Sequence, residues 1–144
     1  MKLRALLVIP LLVASLGLQA KAEMYASPGI GQSAVDAAGV RHDTKSYPGR
    51  RPPWDYDRVK TVAPDYPDQD RRQRHMGSGC FRLYLDLKTG AVIKVDTIRS
   101  TGFATLDQSA ISAFRRWHWK PGKWKQIDVP ITFVLGWSPH LTRR

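Results

Sequence analysis

Between Cys80 and Leu87 apolar and polar residues alternate strictly. Phe81, Leu83, Leu85 and Leu87 fall on one side, and Cys80, Arg82, Tyr84 and Asp86 on the other. That period of two predicts a strand with one buried and one polar face, in a sheet covered on a single side. Lys88-Thr89-Gly90 supplies a turn with glycine at the left-handed position, and a return strand runs from Ala91 to Arg99. In that strand Val92 and Val95 share a face only if an extra residue intervenes, which predicts a bulge near Ile93-Lys94. A helix follows from Thr105. Leu106, Ala110, Ala113, Phe114 and Trp117 recur at helical spacing, and Gln108 lies three residues after Thr105, as in a capping box. Asp107 in its first turn and Arg115 and Arg116 in its last complement the helix dipole. The last strand spans Ile127 to Leu135, with Ile127, Val129, Ile131, Phe133 and Leu135 as its inward row. Upstream, Ala63-Pro64-Asp65-Tyr66-Pro67 is extended, because residues before proline avoid helical angles. Asp68 then caps a short basic helix that ends at Gly77.

Geometry orders these pieces. A helix about 18 Å long, at about 1.5 Å per residue, returns the chain to the side where the helix began, so the third strand runs parallel to the second. To be antiparallel to its neighbour it pairs with the first. The expected fold is α+β: a small three-stranded antiparallel sheet of order 2-1-3, with two helices and the final strand at an edge. Pro130 agrees, since a proline inside a strand lacks a ladder donor and belongs on an edge. An open edge near the C-terminus suits strand addition, so the pattern points to binding before it points to chemistry.

The flanks set the context. Lys2 and Arg4 precede an apolar run from Ala5 to Leu18, and Ala20-Lys21-Ala22 offers small residues for a signal peptidase. The run falls short of the roughly 20 residues of a spanning helix. Residues 1–22 are therefore expected to be a cleaved signal peptide placing the chain in the periplasm. The alternative is a retained inner-membrane anchor with the rest facing the periplasm. Cleavage removes three cations and no acid, taking the formal charge from +11 to +8. Residues 23–62 carry Ser27-Pro28-Gly29-Ile30-Gly31, Tyr47-Pro48-Gly49 and Arg50-Arg51-Pro52-Pro53 with few aliphatics. They read as a flexible leader in which Trp54 and Tyr56 dock by packing or stay loose. Residues 63–137 form the domain, and 138–144 a basic tail. Cys80 is the lone cysteine, so no internal disulfide forms and a buried thiol is expected.

At this point the residues resemble a known family. Tyr66-Pro67 ahead of the first helix, Gly79 opening the alternating strand, Gly90 in the hairpin and Ser100-Thr101-Gly102 after the second strand carry part of the likeness. Leu106-Asp107 with Ala110 and Ala113, Trp117-x-Trp119-x-Pro121, and Val129-Pro130-Ile131-Thr132-Phe133 complete it. Together they are similar to the C-terminal domain of TonB proteins. The resemblance implies a periplasmic domain that grips the TonB box, a short peptide of an outer-membrane transporter, by adding it as a strand beside the last strand. Carried over, the pairing residues would be Ile127, Val129, Ile131, Thr132, Phe133, Val134 and Leu135, with Tyr66 and Pro67 as secondary contacts. The departures are a short hydrophobic run where a transducer keeps a membrane helix, and a leader without an alternating Pro-Glu and Pro-Lys tract.

Other chemistry finds little footing. His42, His75, His118 and His140 have no metal-ligand spacing with Cys80 or an acid, and no Walker loop, G-x-S-x-G elbow or H-E-x-x-H occurs. The expectation is a protein that is not an enzyme, with no cofactor and no metal. Its partner is a protein or peptide, and export argues against nucleic acid. A second reading treats Trp117, Trp119 and Trp124 beside Arg115, Arg116, Lys120, Lys123 and Lys125 as a clamp for anionic envelope polymer or a membrane surface. A third is a homodimer through edge strands.

Overall fold

The computed structural model describes residues 23–136; the expected signal peptide and the basic tail lie outside them. In chain order the elements are β1 (Glu23–Pro28), β2 (Ser33–Asp36), β3 (Arg41–Asp43), α1 (Pro53–Tyr56), β4 (Arg58–Lys60), α2 (Asp68–Gln73), β5 (Gly77–Leu85), β6 (Val92–Arg99), α3 (Ala104–Phe114), β7 (His118–Trp119) and β8 (Trp124–Gly136).

The fold is α+β, and its sheet is larger than expected. Six antiparallel strands run in the order β3-β2-β8-β5-β6, with β1 also paired to β8, while β4 and β7 form a separate two-stranded sheet. The trio β6-β5-β8 keeps the order second, first, third. The correction concerns what lies beyond it. Residues 23–62 are not a flexible leader: they supply β1, β2 and β3, so β8 sits inside the sheet and not at its rim. They also add α1, a third helix. Sequence patterning missed these strands because each is short and only partly apolar; β1 and β2 form by pairing with β8, far along the chain, and β3 by pairing with β2.

Both bulges in the hairpin have clear positions. Tyr84 faces Lys94 and Leu85 faces Val92, leaving Ile93 as the extra residue, as the valine parity requires. A second irregularity leaves Ile98 unpaired between Arg99 and Thr97. These bulges turn Ile93 and Ile98 outward, where both are exposed. At Gly90 the turn takes a φ of +75°, and a Cβ there would lie 1.9 Å from the Trp119 carbonyl oxygen. Only glycine satisfies both demands.

α3 lies on the covered face. Leu106, Ala110 and Phe114 are buried in one core with Phe81, Leu83, Val95, Ile127, Val129, Ile131 and Phe133, and Ala113 is buried as well, each large aliphatic or aromatic contributing about 1.5–3 kcal/mol over exposure. The expected capping box does not form. α3 starts at Ala104 without a side-chain cap. Asp107 instead accepts hydrogen bonds from the Thr101 backbone N–H (2.8 Å), the Thr101 hydroxyl (2.7 Å) and the Ser100 hydroxyl. The carboxylate thus closes the Ser100-Thr101-Gly102 turn onto the helix. α2 also starts one residue earlier than expected and is preceded by Pro67. It ends at Arg74 in the left-handed conformation, φ +55°. No helix among the described residues is long and apolar enough to cross a membrane.

Candidate functional site

β8 is thirteen residues long and forms the spine of the sheet. One flank pairs with β5, from Gly77 opposite Phe133 to Tyr84 opposite Gln126. The other flank is the one the sequence left open. Here β2 takes Trp124 to Asp128 and β1 takes Ile131 to Gly136. Between them the leader continues alongside: the Gly29 N–H donates to the Pro130 carbonyl (2.9 Å) and the Gln32 N–H to the Asp128 carbonyl (2.8 Å). Among the described residues, then, the whole flank is occupied by the chain itself.

Pro130 fits this arrangement. In an antiparallel strand a residue's N–H and C=O point to the same neighbour. Its carbonyl faces Gly29, so the missing donor also faces the leader, and the ladder to β5 loses nothing. The proline marks the break between β1 and β2. Gly31 makes that break passable: a Cβ there would fall 2.7 Å from Trp54 Nε1, and Trp54 Nε1 donates to the Gly31 carbonyl (3.0 Å). The Gly29-Ile30-Gly31 stretch, which read as linker, is the junction that fits the leader around Pro130.

β2 and β3 are held by polar contacts as well as by the ladder. Asp128, buried on the face opposite α3, receives a bidentate pair from Arg82 (2.8 and 3.0 Å), one bond from Ser33 (3.1 Å) and one from Arg41 (3.1 Å). One carboxylate thus ties β2, β3, β5 and β8 together. Burial pushes its pKa up, but the bonds from Arg82, Ser33 and Arg41 outweigh this and hold it below the usual carboxylate range. Asp55 behaves in the opposite way. Burial raises its pKa and nearby Arg58 offsets this only in part, and its Oδ2 has no hydrogen-bond partner. It borders an open recess of about 380 Å³ lined by Pro28, Arg51, Arg58, Thr61 and Trp117, among others.

The structure sorts the expected partner-contact residues sharply. Ile127, Val129, Ile131 and Phe133 are fully buried beneath α3. Since Asp128 and Pro130 turn their carbonyls to the leader, the alternation turns the N–H and C=O groups of these four residues to β5, away from a strand added on the other flank. Thr132 and Val134 point to the other face and Leu135 is half-buried. Tyr66 is buried as well, its ring edge-on to Phe133 at 5.4 Å between centroids and its hydroxyl donating to the His75 carbonyl. Its side chain braces α2 against the sheet. Pro67 is half-buried and borders a shallow apolar groove with Ala104, Thr105, Gln108, Ser109 and Ser112.

The polymer-clamp residues are placed differently from that expectation. Trp54, Trp117, Trp119 and Trp124 are all buried. Trp117 Nε1 donates to the Val62 carbonyl (2.7 Å), Trp119 Nε1 to that of Trp54 (2.7 Å), and Trp124 Nε1 to the Asp57 carboxylate (3.0 Å). Lys120 and Lys123 both pair with Asp57 at 3.3 and 3.2 Å. No tryptophan among the described residues presents a face on which a ligand could stack. Cys80 is buried beside Gln32, and burial raises its thiol pKa. Among the described residues no group of histidine, cysteine and acidic side chains has the geometry of a metal site.

Comparison with known proteins adds the lineage of this scaffold. Residues 62–135 match the family described as Gram-negative bacterial TonB protein C-terminal. Over 81 residues, 51% of this chain, the sequence is 32% identical to Protein tonB2 of Pseudomonas aeruginosa. Over 80 residues it is 32% identical to Protein TonB of Vibrio cholerae serotype O1. The matched stretches make up 29% and 32% of those two proteins, so this chain spans about a third of their length. The family match includes β5, β6, α3 and β8 and none of β1, β2 or β3.

Proposed function

Because the chain belongs to the Gram-negative bacterial TonB protein C-terminal family, we propose that it is a periplasmic binding module of TonB-type transport. Its ligand is an extended peptide, of the TonB-box kind, from an outer-membrane transporter or another envelope protein. The peptide adds as a strand along β8. Main-chain hydrogen bonds give affinity in such complexes, and pockets for alternate side chains give selectivity. The role is one of binding and not of catalysis.

One observation carries this reading. The flank of β8 turned away from β5 takes an added antiparallel strand along Ile131–Gly136, and it does so with residues outside the family match. The site is thus the flank of β8 that β1 now holds, with ladder groups from Thr132, Val134 and Gly136, while Ile131, Phe133 and Leu135 alternate toward the β5 side. Pro130 limits the useful stretch to the residues after it. Ile127 lies beside β2, which the Asp128 cluster secures, and Val129 beside the Gly29–Gln32 junction; they are the weaker part of the expected set. Tyr66 contributes by holding Phe133 in place. The polymer-binding alternative has no comparable support, since its aromatic faces are packed inside and two of its lysines are ion-paired.

The test is isothermal titration of the exported protein with a TonB-box peptide, together with pull-down of detergent-solubilised TonB-dependent transporters. Saturable binding that is lost on Val134→Pro, which removes a ladder donor from this stretch, supports the reading. Absence of binding to every transporter and peptide tried, by a folded protein with β1 removed, overturns it.

A further inference from the structure

We propose that β1 is a resident pseudo-ligand: it occupies the partner-binding half of β8, and an incoming strand must displace it. The inference rests on the proposed function, and it adds a regulatory step that the fold itself supplies.

Three observations support it. First, β1 pairs with β8 in unbroken register, from Glu23 opposite Gly136 to Pro28 opposite Ile131. It therefore occupies the same main-chain groups that an added peptide needs. An uncovered edge of six residues is a ready template for any passing strand, and covering it is how folded proteins avoid unwanted pairing. Second, β1 is held lightly by comparison with β2. Met24 and Ala26 are only partly buried against the core, and Tyr25 is 46% exposed. Among the described residues, side chains 24–28 make no hydrogen bond and no ion pair. β2, in contrast, buries Ser33 and Ala34 and is fixed through Asp128 and Arg41. Third, the two strands are mechanically separate. The junction at Gly29–Gly31 is pinned by Pro130 and Trp54, so β1 can leave β8 from Pro28 backward while β2 stays in place.

The same geometry describes the ligand that competes best. In the antiparallel ladder Met24 and Ala26 face the core side and Tyr25 and Ser27 the other side. A displacing segment fits with apolar or small residues at two alternating positions and no requirement for charge. Tyr25 lies against Gly136, whose missing side chain leaves room for its ring. An aromatic residue at that position of the ligand would use the same space.

Displacement sets the apparent affinity. A tethered strand competes at an effective concentration in the millimolar range or above, and the measured Kd is the intrinsic value divided by the fraction of molecules with the edge free. If β1 is docked in about nine molecules of ten, releasing it strengthens peptide binding about tenfold.

The experiment uses the full chain in three forms. Ser27→Pro removes one ladder donor from β1 without touching β8. Met24→Cys with Leu135→Cys joins a facing pair that can be closed by oxidation and reopened by reduction, the short spacing of a non-hydrogen-bonded pair being suited to a disulfide. The probes are a TonB-box peptide and a synthetic peptide of the sequence of residues 23–28. The expected result is that Ser27→Pro binds both peptides about tenfold tighter than the parent, that the oxidised double variant binds neither, and that reduction restores binding. Equal affinity for the TonB-box peptide in parent, Ser27→Pro and both redox states overturns the pseudo-ligand inference and leaves the proposed function standing. Binding of the 23–28 peptide alone, gained on Ser27→Pro, supports displacement and removes the transporter partner. A folded Ser27→Pro chain that binds neither peptide overturns both.

Discussion

At the scale of single residues, Asp128 carries the most consequence. It is 6% exposed and serves three donors on three other strands. The arginines left behind keep access to water, Arg41 being half-exposed, but the buried Ser33 hydroxyl loses its acceptor, so Asp128→Ala is expected to cost about 1–3 kcal/mol at pH 7. Its pKa is lowered in the folded state. The stabilisation is therefore fully present above the ordinary carboxylate pKa of about 3.9 and is lost as pH falls through the lower folded value. Urea denaturation of parent and variant should show a large gap at pH 7 that narrows below about pH 4. A gap unchanged at pH 3 would mean that shape, and not charge, matters at this position. Pro130 shows how far residue-level reading reaches. In the sequence it placed the last strand at a sheet edge; the missing donor does turn away from β5, but β8 lies inside the sheet. That something nonetheless lies on that side was not legible, because the occupant comes from residues 23–36, and a strand with two or three apolar residues carries no strong periodic signal of its own.

At the scale of elements, the hairpin and α3 were legible because their cores are made by local repetition: period two in β5, helical spacing in α3. Even the bulge at Ile93 follows from the misfit between Val92 and Val95. What failed was capping: α3 already starts at Ala104 with Phe103 at the N-cap, so Thr105 lies inside the first turn and cannot open a box with Gln108. Gly90 tests the element scale directly. It ends the β5–β6 turn, its N–H donates to the Asp86 carbonyl, and its own carbonyl accepts the Trp119 N–H at 2.9 Å. A left-handed backbone alone costs a residue with a Cβ roughly 1–2 kcal/mol. The contact with the Trp119 carbonyl comes in addition, so Gly90→Ala should destabilise by more than that amount. A thermal melt of Gly90→Ala would check it, and a shift no larger than for Gly102→Ala would refute it. At Gly102 φ is +96° and a Cβ meets nothing within 4 Å.

At the scale of the whole molecule, residues 23–62 and the family-matched part share one core. Trp54 from α1 is fully buried, edge-on to Trp124 and Tyr47 at 5.7 Å, and its carbonyl accepts the Trp119 indole N–H. The leader is therefore fastened at its middle by an indole, at β2 by the Asp128 cluster, and only lightly at β1. Large-to-small changes at buried aromatics cost about 3–5 kcal/mol, and here the loss cannot stay local, because Trp119 and Trp124 belong to the corner that joins α3 to β8. Trp54→Ala is expected to lower the stability of the entire chain in one cooperative transition, followed equally by tryptophan fluorescence and far-ultraviolet circular dichroism. A separate early transition, with the remainder melting as in the parent, would mean that the leader is an independent layer laid over a self-sufficient TonB-type domain. Coincident transitions would mean that residues 29–62 and the family-matched part form one cooperative unit, leaving β1 as the lightly held strand among the described residues.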